Sequence, residues 1–116
     1  MSGPLTGITV LDLTSVISGP LATAILADQG ARVIKVENPS GDSMRMGGAL
    51  NRGVSSLFTA LNRNKDSIVL DLQQESGISA IKSMAASVDI LIRNYRPGVM
   101  ERLGIGYSDL KAINPQ

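Results

Sequence analysis

The sequence has no cysteine and no histidine among its 116 residues. The missing cysteine excludes disulfides and thiolate chemistry, and the missing histidine removes the commonest metal ligand and the commonest general base near neutral pH. The sequence also has no surplus of either charge, since its formal net charge is +1. A chain with this balance is not expected to bind nucleic acid or an anionic membrane as its main partner.

The amino terminus has no basic segment and no long apolar run after it. We therefore predict neither a signal peptide nor a membrane span, and we expect a cytoplasmic location. What the sequence does contain is 43% apolar and 18% charged residues, which is typical of one soluble globular unit. A chain of this length can bury roughly two thirds of its unfolded surface, which is enough for a core.

Residues 8–37 predict a strand, a turn, a helix and a second strand. Apolar residues dominate 8–13, as in a strand that is covered on both faces. Cap-type side chains follow at Thr14, Ser15 and Ser18. Pro20 stands where the first helical residue is expected, and Gly30 is placed to end the helix. Such a unit closes right-handed, so the turn after the first strand lies at the carboxyl edge of the sheet, where α/β folds bind ligands.

The remaining sequence continues this alternation. A glycine-rich stretch without periodicity covers residues 38–56, and a short apolar piece follows it at 57–61. Beyond a polar turn at 62–67 we predict strands at 68–72 and 90–92, and helices at 75–88, from Pro97 to Gly104, and from Ser108 onward. The fold class is therefore α/β with a parallel sheet. Residues 114–116 stand where another strand is expected, so we expect a longer parent chain.

Polar side chains follow each predicted strand at its carboxyl end. They are Thr14, Ser15, Ser18, Glu37, Asn38, Asp71, Gln73 and residues 93–96. The carboxyl ends of parallel strands meet at one edge of the sheet, where helix N-termini and free backbone N–H groups also lie. Together with arginine and asparagine side chains, these groups predict a phosphate-binding rim.

A dinucleotide is a poor match to this rim. Glu37 ends the second strand, as the acidic residue of the dinucleotide-binding fingerprint does. The turn at 14–20, however, has one glycine where the fingerprint needs three, so a pyrophosphate cannot approach its backbone as closely. The sequence also contains no P-loop and no nucleophile elbow.

Some charged residues have a structural interpretation as well. We expect Asp12, inside the first strand, to hydrogen-bond loop backbone. We expect Glu37 to pair with Lys35 or with a loop amide. For Arg63 and Lys65 the sequence leaves two alternatives open, a solvated polar turn or an approach to substrate.

A series of motifs runs through nearly the whole chain. The longest are L-x-G-I-x-V-L-D-L-T at residues 5–14, L-A-D-x-G-A-x-V-I-K-V-E at 26–37 and R-P-G-V-M-E-R-L-G at 96–104. The others are G-P at 19–20, G-D at 41–42, N-R-N-K-x-S-I at 62–68, L-D-L at 70–72, D-I-L-I-x-N at 89–94 and N-P at 114–115. In this order the motifs resemble those of the class III CoA-transferases, the CaiB/BaiF family, which includes formyl-CoA transferase, carnitine CoA-transferase and the α-methylacyl-CoA racemases.

The resemblance implies that residues 1–116 form the N-terminal CoA-binding segment of a larger domain, with a Rossmann-like parallel sheet and flanking helices. The positions that it implies for CoA contacts are Val16, Ile17, Ser18, Leu70, Gln73, Asn94, Tyr95 and Arg102. Tyr95 is expected to pack against the adenine, and Arg102 to pair with a phosphate through its planar fork of donors. Because Asn38 and Gln73 stand where some members carry arginine and lysine, phosphate binding is expected to rely on Arg96 and Arg102, or on residues outside the chain.

The activity that the resemblance implies is transfer of CoA between carboxylic acids, with an acyl-CoA and a carboxylic acid as substrates and no metal. Family transferases use an aspartate nucleophile, which we expect beyond Gln116, so the chain by itself is expected to supply no catalytic residue and to be inactive. Two alternatives stay open, a racemase-like enzyme and a stand-alone CoA- or nucleotide-binding module. The resemblance also implies an interlocked homodimer of longer chains.

Overall fold

The computed structural model describes residues 2–47, 50–51 and 54–116. In chain order its elements are β1 (Thr9–Asp12), α1 (Ser18–Asp28), β2 (Arg32–Glu37), a 3-10 turn (Ser43–Met46), β3 (Leu50–Asn51), β4 (Val54–Ser55), α2 (Ser56–Leu61), β5 (Lys65–Val69), α3 (Glu75–Ala85), β6 (Ile90–Ile92), α4 (Val99–Arg102) and α5 (Tyr107–Ile113). Within the predicted 38–56 loop, residues 48–49 and 52–53 lie outside the described residues. No helix in the described ranges is long and apolar enough to cross a membrane.

The main sheet has the strand order β5-β2-β1-β6, and each neighbouring pair is parallel. Val10 of β1 pairs with Val33 on one side and with Ile90 on the other. Taken in chain order, the strands of this sheet are arranged 3-2-1-4, which is the first part of the doubly wound order. The order reverses between β1 and β6, so the switch point lies between their carboxyl ends. The predicted α/β class, with a Rossmann-like parallel sheet and flanking helices, is confirmed.

Helices cover both faces of the sheet. Alternate residues of a strand point to opposite faces, and β1 therefore contributes to two separate apolar clusters. One cluster holds Leu11 and Leu13 with Ile81 of α3, Met100 of α4 and Ile105. The other holds Val10 and Val33 with Ala27 of α1 and Ala31. This two-sided burial explains why the strand reads as a nearly continuous apolar run.

Two glycines end helices as predicted. Gly30 follows α1 with a φ of 104°, and its N–H donates to the carbonyl of Ala27 while the N–H of Ala31 donates to the carbonyl of Leu26. This bonding pattern is a Schellman motif, which needs a left-handed residue and therefore favours glycine. Gly104 ends α4 in the same manner with a φ of 78°.

The predicted start of α3 at residue 75 is confirmed, but the predicted starts of three other helices are wrong. α1 begins at Ser18 after Ile17, and no side chain caps it, so Thr14, Ser15 and Ser18 are not caps and Pro20 is the third helical residue. The hydroxyl of Thr14 donates to Asp12 instead, because the buried carboxylate of Asp12 needs hydrogen-bond donors.

The two later helices also start elsewhere. α4 begins at Val99 after Gly98, which has a φ of 88°, and not at Pro97. α5 begins at Tyr107, where the carboxylate of Asp109 accepts the N–H of Gly106 at 3.1 Å. Ser108 therefore lies inside α5.

Strand β5 starts at Lys65, three residues before the predicted start, because the polar residues 65–67 pair with β2. The side chain of Lys65 is buried beneath α1. Its Nζ donates to Asp12 Oδ2 at 2.9 Å, to the Pro20 carbonyl at 3.1 Å and to Asn62 Oδ1 at 2.8 Å. Asp12 accepts the backbone N–H of Thr14 at 2.9 Å, as expected, and it also pairs with a buried ammonium group 53 residues away in sequence.

Burial acts on the pKa of both members of this pair. Burial lowers the pKa of Lys65, and the hydrogen bond that Lys65 donates to Asp12 opposes that change only in part. Burial alone raises the pKa of Asp12, but hydrogen bonds from Thr14, Thr23 and Lys65 outweigh it, so the net pKa is lowered. Both groups therefore depend on each other to stay charged in the core.

We expect Lys65→Met to reduce the free energy of unfolding by about 3–5 kcal/mol, because it leaves the Asp12 carboxylate buried without a counterion. The measurement is urea denaturation followed by circular dichroism. The matched control is Arg32→Met, since Arg32 pairs with Asp66 at 3.4 Å with both side chains about two thirds exposed. That control should change stability by less than about 1 kcal/mol.

A second variant tests the cause. Adding Asp12→Asn to Lys65→Met removes the unpaired charge and should recover a large part of the loss. Equal losses from Lys65→Met and Arg32→Met would contradict this account of the pair.

Candidate functional site

A polar cleft of about 260 Å³ opens at the carboxyl edge of the sheet, where β1 and β2 end. It is lined by Leu13, Thr14, Ser15, Lys35, Val36, Glu37, Asn38, residues 40–43 and Tyr95. We call it the polar cleft below. This is the edge at which the sequence predicted a ligand site, and it adjoins the switch point of the sheet.

The turn after β1 is held to the segment after β6 by a pair of hydrogen bonds. The N–H of Ser15 donates to Asn94 Oδ1 at 3.1 Å, and Asn94 Nδ2 donates to the carbonyl of Ser15 at 2.8 Å. The amide of Asn94 thus bridges the switch point. Two polar residues that the sequence places after separate strands, 79 positions apart, are thereby brought into contact.

Val16 follows Ser15 in a left-handed conformation, with a φ of 73°. Its N–H donates to Asp42 Oδ1 at 3.4 Å. Side chains of the protein therefore already accept the N–H groups of Ser15 and Val16, so these two are not among the free backbone N–H groups expected at this edge. The amides that face solvent begin further on, in the uncapped first turn of α1.

The predicted contact residues of the first turn are accessible. Val16 is 42% exposed and Ile17 is 49% exposed, and Ser18 begins α1 at the surface. Gly19 brings this turn close to the sheet, since a Cβ at this position would lie 2.4 Å from the Cβ of Thr14. The G-P motif at 19–20 therefore has a packing reason, in that only glycine permits this approach.

The residues predicted beyond the third strand lie at the far edge of the sheet. Leu70 follows β5, its N–H donates to the carbonyl of Glu37 at 2.9 Å, and its side chain packs against the core. Gln73 is exposed, and its N–H donates to Asp71 Oδ1 at 2.9 Å. Because β2 and β1 separate β5 from β6, these residues lie about 14 Å across the sheet from Asn94, at about 4.8 Å per strand.

Tyr95 and Arg102 differ in their surroundings. Tyr95 lines the polar cleft and packs against the core, and burial raises the pKa of its hydroxyl, with the charge of Asp12 adding to the effect. Arg102 is the last residue of α4 and is exposed, as is Arg96. Arg102 does not line the polar cleft as the structure describes it.

A buried ion pair that the sequence did not predict forms one wall of the cleft. The side chains of Lys35 and Asp42 are both almost completely buried, and Lys35 Nζ donates to Asp42 Oδ2 at 2.9 Å. Lys35 Nζ also donates to the carbonyl of Thr14 at 3.1 Å. The sequence does show a lysine within an apolar strand, followed by a glycine-aspartate motif at 41–42, and this pattern could have indicated a buried charge. It does not identify the partner of the lysine.

Glu37 pairs with Arg45 and not with Lys35, so that part of the expectation is wrong. Arg45 donates to both carboxylate oxygens of Glu37, at 2.7 and 2.5 Å, and its guanidinium lies 4.1 Å from the ring centroid of Phe58. The expected loop amide is present, since the N–H of Asp42 donates to Glu37 Oε2 at 3.0 Å. These bonds fasten the 3-10 turn over the end of β2.

The two alternatives for Arg63 and Lys65 are now distinguishable. Arg63 Nη2 lies 2.6 Å from Asp28 Oδ2 at the end of α1, which is the amino edge of the sheet. Lys65 is buried against Asp12. Both side chains are engaged in structural ion pairs, away from the open mouth of the polar cleft.

Comparison with known proteins gives a consistent result. The model of CoA-transferase family III matches residues 5–116. The chain is 46% identical over 115 residues to acetyl-CoA:oxalate CoA-transferase of Acetobacter aceti, a match that covers 98% of this chain and 30% of that protein. It is 44% identical over 114 residues to succinyl-CoA:glutarate CoA-transferase of Homo sapiens, covering 97% of this chain and 26% of that one.

A solved structure agrees with the sequence matches. The crystal structure of a CAIB/BAIF family protein from Brucella suis superimposes with a TM-score of 0.93 at 38% identity, covering 100% of this chain and 32% of that chain. The chain therefore spans about a third or less of the proteins that it matches.

The Glu37–Arg45 pair predicts a pH dependence of stability. Hydrogen bonds from Arg45, then from the Asp42 amide and from Ser67, outweigh burial and lower the pKa of Glu37 from 4.5 to about 2. Because the folded pKa is the lower one, the contribution of Glu37 is complete above pH 4.5 and is lost as the pH falls toward 2. At about 1.4 kcal/mol per pKa unit this amounts to at most about 3 kcal/mol, since Arg45 is half exposed.

We expect Glu37→Gln to remove that part of the acid dependence, measured by urea denaturation across the same pH range. Glu75→Gln, at an exposed glutamate of α3, is the matched control and should leave the dependence unchanged. If the Glu37→Gln variant still loses stability as steeply as the wild type below pH 4.5, the ion pair is not its source.

Proposed function

The chain belongs to CoA-transferase family III, and we propose that it supplies the CoA-binding part of an acyl-CoA:carboxylate CoA-transferase. The observation that carries this proposal is the 46% identity to an acetyl-CoA:oxalate CoA-transferase over 98% of the chain. A second relative is named for succinyl-CoA and glutarate, so the relatives' names share an acyl-CoA donor and a carboxylic acid acceptor. These names favour a transferase over a racemase.

The geometry of the carboxyl edge supports CoA as the ligand. The uncapped first turn of α1 presents backbone N–H groups and the positive end of the helix dipole, both of which suit a phosphate. Tyr95 offers an aromatic side chain in the polar cleft for the adenine. Leu70 and Gln73 lie at the other end of the same edge, so a ligand that contacts all of these positions must be extended.

Arg102 is proposed to pair with a phosphate of CoA. It is exposed and lies at the end of α4, in the segment that follows β6 and Asn94. A guanidinium group presents two parallel donors to a phosphate, which a lysine cannot reproduce. Asn38 lines the cleft without a charge, so the arginines after β6 are left to supply the positive charge.

The chemical step is assigned to an aspartate outside these 116 residues. In that step the carboxylate attacks the thioester carbonyl and releases the CoA thiolate, which then attacks the resulting anhydride to form an aspartyl-CoA thioester and release the acid. The two aspartates next to the turn after β1, Asp12 and Asp42, are buried in ion pairs with lysines and are not available as nucleophiles. The chain by itself is therefore expected to bind CoA without transferring it.

We also propose a homodimer and a cytoplasmic location. Association is supported by α1, whose exposed side includes Leu21 and Ile25 at four-residue spacing, 42% and 44% exposed. An apolar helix face of this kind is usually covered in the assembled protein. Sedimentation equilibrium tests this part, and a monomer at all concentrations would contradict it.

Titration calorimetry with CoA tests the binding proposal. We expect Arg102→Ala to weaken CoA binding by roughly 10- to 100-fold, because charge-assisted hydrogen bonds contribute about 1.5–3 kcal/mol. Arg102→Lys should restore only part of the affinity. Arg32→Ala removes one exposed positive charge at the amino edge of the sheet and is the matched control, which should bind CoA as the wild type does.

Dephospho-CoA, which lacks the 3′-phosphate, shows which phosphate Arg102 meets. If it is the 3′-phosphate, the effect of Arg102→Ala disappears with this ligand, and if it is the pyrophosphate, the effect persists. A wild-type chain that binds neither ligand would contradict the CoA-binding proposal. Equal CoA affinity of wild type and Arg102→Ala would show that Arg102 does not contribute to binding.

A further inference from the structure

The carboxylate of Asp42 connects the loop after β2 with the turn after β1. Its Oδ2 accepts Lys35 Nζ at 2.9 Å, and its Oδ1 accepts the N–H of Met44 at 2.9 Å and the N–H of Val16 at 3.4 Å. Lys35 reaches the same turn independently through the Thr14 carbonyl. One buried ion pair therefore holds residues on both sides of the polar cleft.

Val16 needs such support because its backbone is strained. A β-branched residue is strongly disfavoured at positive φ, and Val16 has a φ of 73°. Side-chain packing offers little compensation, since Val16 is 42% exposed. The structure instead compensates through backbone hydrogen bonds, from Val16 to Asp42 and from the preceding Ser15 to Asn94.

The conformation of Val16 sets the direction in which the chain enters α1. Ile17 and Ser18 follow it directly, and their N–H groups start the uncapped first turn of the helix. Were Val16 to relax to an extended conformation, these amides would point elsewhere while α1 itself remained packed on the sheet through Ala24 and Ala27. The effect of relaxation would therefore fall on the turn and not on the fold.

We propose that Asp42, held in place by Lys35, is a positioning residue for CoA. It keeps Val16 left-handed, so that the first amides of α1 face the phosphates of the ligand at the mouth of the polar cleft. Asp42 acts through Val16 and does not itself touch CoA. This inference rests on the CoA-binding function proposed above, and it assigns a role to the glycine-aspartate motif at 41–42.

Two double variants test the role of the acceptor at position 42. Lys35→Met with Asp42→Asn and Lys35→Met with Asp42→Ala both remove the two charges, so neither leaves a buried ion unpaired. They differ in that asparagine retains an oxygen acceptor for the Val16 amide. We expect the asparagine variant to bind CoA within about threefold of wild type and the alanine variant to bind on the order of tenfold more weakly, as expected for a residue released from this degree of strain.

A rescue substitution separates positioning from general loss of structure. Glycine adopts positive φ without strain, so adding Val16→Gly to the alanine double variant should recover part of the CoA affinity that the alanine double variant has lost. Failure of this rescue, or equal affinity of the two double variants, would overturn the proposal. Circular dichroism of each variant checks that the fold is retained. The double variants are used because Asp42→Ala alone leaves Lys35 as a buried charge without a partner and can prevent folding.

NMR supplies a readout that does not involve CoA. Backbone chemical shifts of Val16 report its conformation. They should keep the values of a left-handed residue in the asparagine variant and change to those of an extended residue in the alanine variant. Unchanged shifts in both would overturn the proposal. If the shifts change as expected but the wild-type chain does not bind CoA, the proposed function is contradicted while the structural link from Asp42 to Val16 stands.

Discussion

The structure depends on two ammonium groups that are buried beneath the turn after β1. Lys65 meets Asp12 and Lys35 meets Asp42, each at 2.9 Å and with side chains almost completely shielded from water. Taking ions out of water costs several kcal/mol each, and their attraction offsets that cost only when the geometry is good and the other lone pairs and protons are satisfied. Here Lys65 also donates hydrogen bonds to the Pro20 carbonyl and to the side chain of Asn62. Lys35 also donates one to the Thr14 carbonyl. These bonds join β5 to β1 and α1, and they join the loop after β2 to the turn after β1.

That arrangement fixes the carboxyl edge of the sheet. Asp12 accepts the N–H of Thr14 at 2.9 Å, Asn94 bonds Ser15, and Asp42 bonds Val16, so three consecutive residues are each held by a different element. A parallel sheet with the order 3-2-1-4 places its switch point at this turn, where adjacent loops diverge and leave room for a ligand. The fold supplies the opening, and the polar side chains give the turn one shape. In the proposed CoA site, a turn that is already ordered has less conformational entropy to lose on binding.

The same bonds limit what the turn can offer to CoA. Amides that are already accepted by Asn94 and Asp42 are not available to a phosphate, so in the proposed CoA site the phosphate is assigned to the first turn of α1. This helix start lacks a capping side chain, a feature that leaves its N–H groups open to an anionic ligand. Three features of this region depart from local conformational preference: the uncapped helix start, the positive φ of Val16 and the buried charge of Asp42. Departures of this kind are expected at functional sites.

The sequence by itself determined the alternation of strands and helices, the parallel sheet, the glycines that end α1 and α4, and the edge at which polar residues gather. These features depend on local periodicity, on backbone preference at single residues and on the geometry of parallel strands. Residues that are close together in the sequence determine all of them. Only the tertiary structure decided the starts of α1, α4 and α5, the early start of β5 and the identity of each charge partner. Lysine side chains are usually solvated, so the sequence predicted neither a buried ammonium group at Lys35, expected as a partner of Glu37, nor one at Lys65, expected in a polar turn or near substrate. Their burial follows from contacts across the sheet, such as the one that joins Lys65 to a carboxylate 53 residues away, and no local pattern encodes such a contact.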